Sequence, residues 1–156
     1  MKNDILFVTA FRDINRGNWK NIPRGIESYC DAFYKYSSQM KYKIVVFISD
    51  KIQNYLLNKY TFGNNVIFLN NDCVDTFYHK YLSLETEIIK SSRFQNLIPH
   101  HKKKAIPFIY PEYNVVNHSK INYVNEAKKR YPDYKFYSWI DFGIRLWETS
   151  KLYNKT

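Results

Sequence analysis

Three short apolar runs, Asp4 to Phe11 (DILFVTAF), Tyr42 to Ser49 (YKIVVFIS) and Asn65 to Leu69 (NVIFL), restrict the fold more than any other feature of this chain. All are rich in residues that favour strands, and the first two are apolar without alternation, as in strands buried on both faces. Between those two, Ile26, Tyr29, Cys30 and Phe33 recur at the i, i+3, i+4, i+7 spacing of one helical face. Pro23 suits the first turn of that helix, which is expected to run to about Met40. Strand, helix and strand in this order make a βαβ unit with parallel strands. A second helical stretch, Lys51 to Tyr60, leads to the third strand, and Gly63 turns the chain between them. The expected class is α/β: a mostly parallel sheet flanked by helices.

The second half is read in the same way. Thr76 to Leu97 has mixed periodicity and is expected to form one or two helices. Ile106 to Tyr110 (IPFIY) reads as a short extended piece that Pro107 confines to an edge. Asn114 to Arg130 reads as a helix, with Ile121, Val124 and Ala127 at helical spacing, Ser119 as a cap and Pro132 as the stop. Lys128, Lys129 and Arg130 then complement the negative end of its dipole. A last strand, Tyr134 to Ile140, closes on Asp141, Phe142 and Gly143, and Ile144 to Thr156 follows with Trp147 and Glu148.

With 156 residues, the expectation is a single domain over 1–156. A net charge of +10 favours anionic partners: nucleotide, nucleic acid, phosphorylated glycan or an acidic membrane contacted peripherally. The densest basic run, His100 to Lys104, reads as a solvated loop, and with no nucleic-acid motif beside it nucleic acid is the less favoured partner. Cys30 and Cys73 match neither a zinc spacing nor a disulfide framework and are expected to be buried free thiols. The first apolar run is interrupted by Arg12 and Asp13 too soon for a signal peptide or membrane span, so a cytoplasmic location is expected.

Several chemistries are disfavoured by missing motifs. The sequence has no G-x-S-x-G elbow, no glycine-rich phosphate loop and no G-x-G-x-x-G after the first strand. His79, His100, His101 and His118 lack a metal-ligand spacing. Polar residues at the ends of the elements remain. Arg12, Asp13 and Arg16 follow the first strand, where an α/β sheet opens its ligand crevice. Asn117, His118 and Lys120 stand near a helix start, either capping it or receiving phosphate. Asp141 ends a strand, as a ligand group or as a turn former. Gathered at one sheet edge, Arg12, Asp13, Lys120 and Asp141 would suit a nucleoside diphosphate. A carboxylate would hold Mg²⁺ or Mn²⁺ and the cations would support the departing charge, as in glycosyl transfer from a nucleotide-sugar.

The stretches DILFVTAFRDINRGNW, YKIVVFISD, YPEYNVVNHSKINYVNEAKKRYP and FYSWIDFG resemble the bacterial HtrL/YibB family, with WIDFG and VNHSK the more specific blocks. The resemblance implies a glycosyltransferase of GT-A-like, Rossmann-like fold, acting on a glycan or lipid-linked glycan acceptor in surface polysaccharide synthesis. It implies that Thr9, Phe11, Arg12 and Asp13 bind the nucleoside, and that Asn117 and Lys120 contact diphosphate or sugar. Asp141 would take the first position of a D-x-D motif and bind the metal, Mn²⁺ or Mg²⁺. Gly143 stands where that motif has its second aspartate, and Glu148 follows as a substitute that its spacing does not single out. GT-A enzymes usually continue beyond this motif into an acceptor-binding region, so a truncated or split transferase is one expectation. A non-catalytic binding module derived from the same fold is the other.

Overall fold

The computed structural model describes residues 4–144. Four parallel strands form one sheet: β1 (Ile5–Phe11), β2 (Ile44–Ile48), β3 (Val66–Asn70) and β4 (Phe136–Trp139), in the order β3-β2-β1-β4. Phe7 of β1 lies beside Ile44 of β2 on one flank and beside Ser138 of β4 on the other. The α/β class and the three leading strands agree with the sequence reading to within a few residues at each end.

Side-chain alternation along the central strands divides the core into two layers. Ile44, Val46 and Ile48 of β2 face one way, with Phe11 of β1, and pack against α1 (Ile26–Ser37) and α2 (Asp50–Lys59) through Cys30, Phe33, Tyr36, Ile52 and Leu56. Leu6, Val8, Val45 and Phe47 face the other way, onto Tyr123 and Ala127 of α6 (Lys120–Arg130) and Val74 of a 3-10 turn. β2 is buried at every position, which explains its unbroken apolar sequence.

Between β3 and β4 run α3 (Asp75–Lys90), α4 (Ser92–Leu97), α5 (Pro111–His118) and α6. Five expectations change in the fold. Ile106–Phe108 is a 3-10 turn, not an extended piece, because Pro107 sits in its first turn and Phe108 N–H donates to Ala105 O. The helix expected over Asn114 to Arg130 is two helices: Pro111 starts α5, and Ser119 is the junction. The Ser119 hydroxyl does not cap α6; it donates back to Val115 O at 2.7 Å. α1 begins only at Ile26 with Gly25 as its cap, so Pro23 lies in the preceding loop. Cys30 is buried and free as expected, whereas Cys73 is exposed.

Strand order matters most for function. The chain steps outward from β1 to β2 to β3, then returns to pair β4 on the opposite side of β1. The carboxyl ends of β1 and β4 therefore flank the point where the winding direction reverses, the place where open α/β sheets leave a crevice. This four-stranded parallel sheet between helical layers is a Rossmann-like arrangement.

Candidate functional site

A pocket of about 230 Å³ lies at that reversal. Ala10, Phe11, Arg12 and Asp13 reach it from the end of β1, Trp139, Asp141, Phe142 and Gly143 from the end of β4, and Asn117 and Lys120 from the α5–α6 junction. Arg16, Arg24 and Tyr29 join the lining from the loop after β1 and the start of α1, Tyr113 from α5, and Ile14, Ile26, Val116 and Ile144 add aliphatic surface. Six of the seven residues singled out in the sequence thus converge: Phe11, Arg12, Asp13, Asn117, Lys120 and Asp141. Thr9 does not. It is wholly buried two residues before Phe11, within the sheet, and does not line the pocket.

The loop after β1 is shaped by its own polar side chains. Asp13 Oδ1 accepts from Asn15 N–H at 2.9 Å, closing a turn that carries Asn15 into the left-handed region at φ 57°. A single 3-10 turn, Arg16–Asn18, follows, and Arg24 N–H returns to Arg16 O at 3.3 Å. That closure brings both arginines to one wall. Arg16 donates to the Tyr29 hydroxyl at 2.6 Å, and its guanidinium carbon lies 5.6 to 6.0 Å from the ring centres of Trp19, Tyr29 and Tyr113. Arg24 lies over the Tyr29 ring at 4.0 Å and donates to Gly143 O at 2.6 Å.

Arg12 is held differently. Its guanidinium pairs with Asp75 at the start of α3 and lies over the Tyr78 ring at 4.3 Å. Burial works against its charge, but the bond to Asp75 and the field around it outweigh burial, so its pKa is raised. Arg12 therefore fixes α3 to the sheet end as well as lining the pocket.

On the opposite wall, Asp141 Oδ1 accepts from Lys120 Nζ at 2.8 Å and from Trp139 Nε1 at 2.8 Å. Partial burial pushes this carboxyl up, yet the two hydrogen bonds and the lysine charge prevail and hold it below the usual carboxylate range. Asn117 belongs to the last turn of α5, not to a helix start, and its amide donates to Tyr113 O at 2.9 Å.

Gly143 is required by close approach. A Cβ there would lie 2.4 and 2.7 Å from Tyr29 ring carbons and 2.8 Å from Arg24 Nη1. The position where a second aspartate would stand in D-x-D is thus filled by an aromatic ring and a guanidinium.

Those observations bear on a divalent cation. Mg²⁺ is held by one or two carboxylates together with substrate phosphates, and Mn²⁺ favours the same oxygen donors. Here the motif's one carboxylate is paired with Lys120, the second position faces Arg24, and among the described residues no three His, Cys, Asp or Glu side chains converge. Among the described residues, the two-carboxylate D-x-D donor set is therefore not assembled: Asp141 Oδ1 is taken by Lys120, and position 143 carries no side chain. Glu148 lies outside them.

The sequence reading had placed Arg16 at the crevice without a role, and Arg24, Tyr29, Tyr113 and Trp139 escaped it. Arg24 and Tyr29 carried only helix-start signals, and nothing local tied them to a glycine 119 residues beyond Arg24.

Fold and pocket define a Rossmann-like α/β domain with a cation-rich, aromatic-walled crevice at its topological switch point. The chain belongs to the HtrL_YibB family, whose model matches residues 3–155 and is described as a bacterial protein of unknown function. Comparison with curated proteins and with solved structures gave no match. Among the described residues, no helix is long and apolar enough to cross a membrane.

Proposed function

We propose that this chain transfers a sugar from a nucleotide-sugar donor to a glycan or lipid-linked glycan acceptor, in the cytoplasm or at its membrane face. The observation that carries this reading is the composition of the switch-point pocket: Arg12, Arg16, Arg24 and Lys120 against Asp13 and Asp141, among Phe11, Tyr29, Tyr113 and Trp139. With the Asp75 partner of Arg12 counted, four cations against three carboxylates still favour an anion, and aromatic walls favour a flat base or sugar face beside it.

In transfer an acceptor hydroxyl oxygen bonds to the anomeric carbon as the bond from that carbon to the diphosphate oxygen breaks; negative charge grows on the departing diphosphate, and the hydroxyl proton passes to it or to solvent. Fixed cations aimed at that oxygen stabilise the charge without reorganising at the moment of reaction. In this reading Phe11 and Asp13 border the nucleoside, the arginines and Lys120 meet the diphosphate, and Asn117 presents polar groups to the sugar. Asp141 positions Lys120 through their ion pair.

The test is incubation of the full chain with UDP-, GDP- and CDP-sugars, alone and with bacterial glycan acceptors, followed by assay of released nucleotide. Release by the wild type that is lost in Lys120→Ala is expected. A second reading, a binding module without turnover, draws on the engagement of Asp141 Oδ1 by Lys120 and Trp139, which occupies that oxygen and lowers the basicity of the carboxylate as a proton acceptor. Nucleotide binding with no release from any donor would favour it over transfer.

A further inference from the structure

We infer that Arg16 and Arg24 form a diphosphate subsite that does the charge-neutralising work of a divalent metal, so that nucleotide binding here is metal-independent. This rests on the nucleotide-sugar reading for the identity of the ligand, and on the pocket itself for the charge.

Arg16 is the central observation. Its guanidinium sits among Trp19, Tyr29 and Tyr113, its Nε is buried without a hydrogen-bond partner, and among the described residues no carboxylate pairs with it. A partly desolvated charge with no counter-charge is unfavourable in the free protein and becomes favourable when an anion arrives. The tyrosine hydroxyl that accepts from it at 2.6 Å fixes its plane and supplies no negative charge. Arginine's planar fork suits phosphate oxygens in pairs, which an ammonium cannot match.

Arg24 lies on the same wall. Tyr29 is shared between the two, accepting from Arg16 through its hydroxyl and lying under Arg24 with its ring. Arg24 also donates to Gly143 O, so it occupies the end of β4 beside the position where a metal-binding aspartate would project. An aspartate there would clash with the Tyr29 ring and the Arg24 guanidinium already at its Cβ. Both guanidinium groups line the wall that a diphosphate bridge between nucleoside and sugar would meet, and Lys120, already paired to Asp141, stands opposite them for the charge that appears when the sugar departs.

Calorimetric titration of the full chain with UDP, GDP, CDP and inorganic pyrophosphate, each in EDTA and in Mn²⁺, tests this directly. The expected result is binding in EDTA within about twofold of that in Mn²⁺, weakened about tenfold or more in Arg16→Gln and in Arg24→Gln. Lys128→Gln with Lys129→Gln, on the far end of α6, should leave it unchanged and so excludes general attraction to a basic protein. Melting curves identify any variant that does not fold, and Arg16→Lys, which keeps the charge and removes the fork, should still weaken binding. Nucleotide binding seen only with Mn²⁺ would overturn the inference and leave the nucleotide-sugar reading intact. Pyrophosphate bound in EDTA without any nucleotide would support the subsite and overturn that reading. No binding of either kind would overturn both.

Discussion

Lys120 and Asp141, 21 residues apart, meet on one wall of the pocket through a 2.8 Å ion pair that Trp139 reinforces from the same strand end. The pair joins the first residue of α6 to the exit of β4 and sets the charge on one wall. Its pH dependence follows from its direction. The folded carboxyl lies below the usual value of about 3.9, so the pair's contribution is complete above that value and is lost as pH falls through the lower folded one. Asp141→Asn should therefore be less stable than wild type at neutral pH, by under about 1 kcal/mol because the carboxylate is largely exposed. The gap should close as pH drops from about 5 to about 2. Urea midpoints across that range check this, and a gap that widens in acid would contradict it.

Gly143→Ala should destabilise the fold by about 1 to 3 kcal/mol, because the new methyl meets the Tyr29 ring and Arg24. Tyr29→Ala in the same chain should remove part of that penalty. A double-mutant cycle in which the two effects simply add would show that the ring is not what excludes a side chain there.

Phe142 links pocket and core. It is 3% exposed and stacks between Phe33 at 4.5 Å and Phe11 at 4.9 Å. Phe142→Ala should cost about 3 to 5 kcal/mol through the cavity it leaves. For a chain of this size that lowers Tm by about 6 to 20 °C, measurable by calorimetry, and a change under 2 °C would place the ring outside the cooperative core.

Asp75→Ala leaves the Arg12 guanidinium, 17% exposed, without its carboxylate. The expected loss is about 1 to 3 kcal/mol, the penalty for an unsatisfied, partly desolvated group. Arg12→Met with Asp75→Ala should recover part of it, since the uncompensated charge goes with the arginine. Equal stability of Asp75→Ala and wild type would mean that the pair does not hold α3 to the sheet.

Much of this architecture was written locally. The strand-like runs at β1, β2 and β3, the helical spacing of Ile26, Tyr29, Cys30 and Phe33, and the aspartate closing β4 are patterns over a few residues, and propensity and burial act over that length. A βαβ order then dictates parallel pairing, which puts Phe11, Arg12, Asp13 and Asp141 at the carboxyl ends of their strands. Local signals failed where neighbours decide the outcome. Ser119 resembles a helix cap, yet its hydroxyl turns back to Val115 because α5 already runs into the junction. Thr9 belongs to the right strand and shares the face of Phe11, but it lies one pleat back from the strand end and is fully buried, so it does not reach the pocket.

The sequence by itself determined the class of fold, the main elements and the end of the sheet at which charged residues collect. Tertiary structure alone decided that β4 returns beside β1, that Lys120 takes Asp141, and that Arg24 and Tyr29 fill the space over Gly143. The physical reason is range: periodicity and capping are settled within a turn or a strand, whereas these contacts join residues 21 to 131 positions apart and exist only once the whole sheet has closed around them.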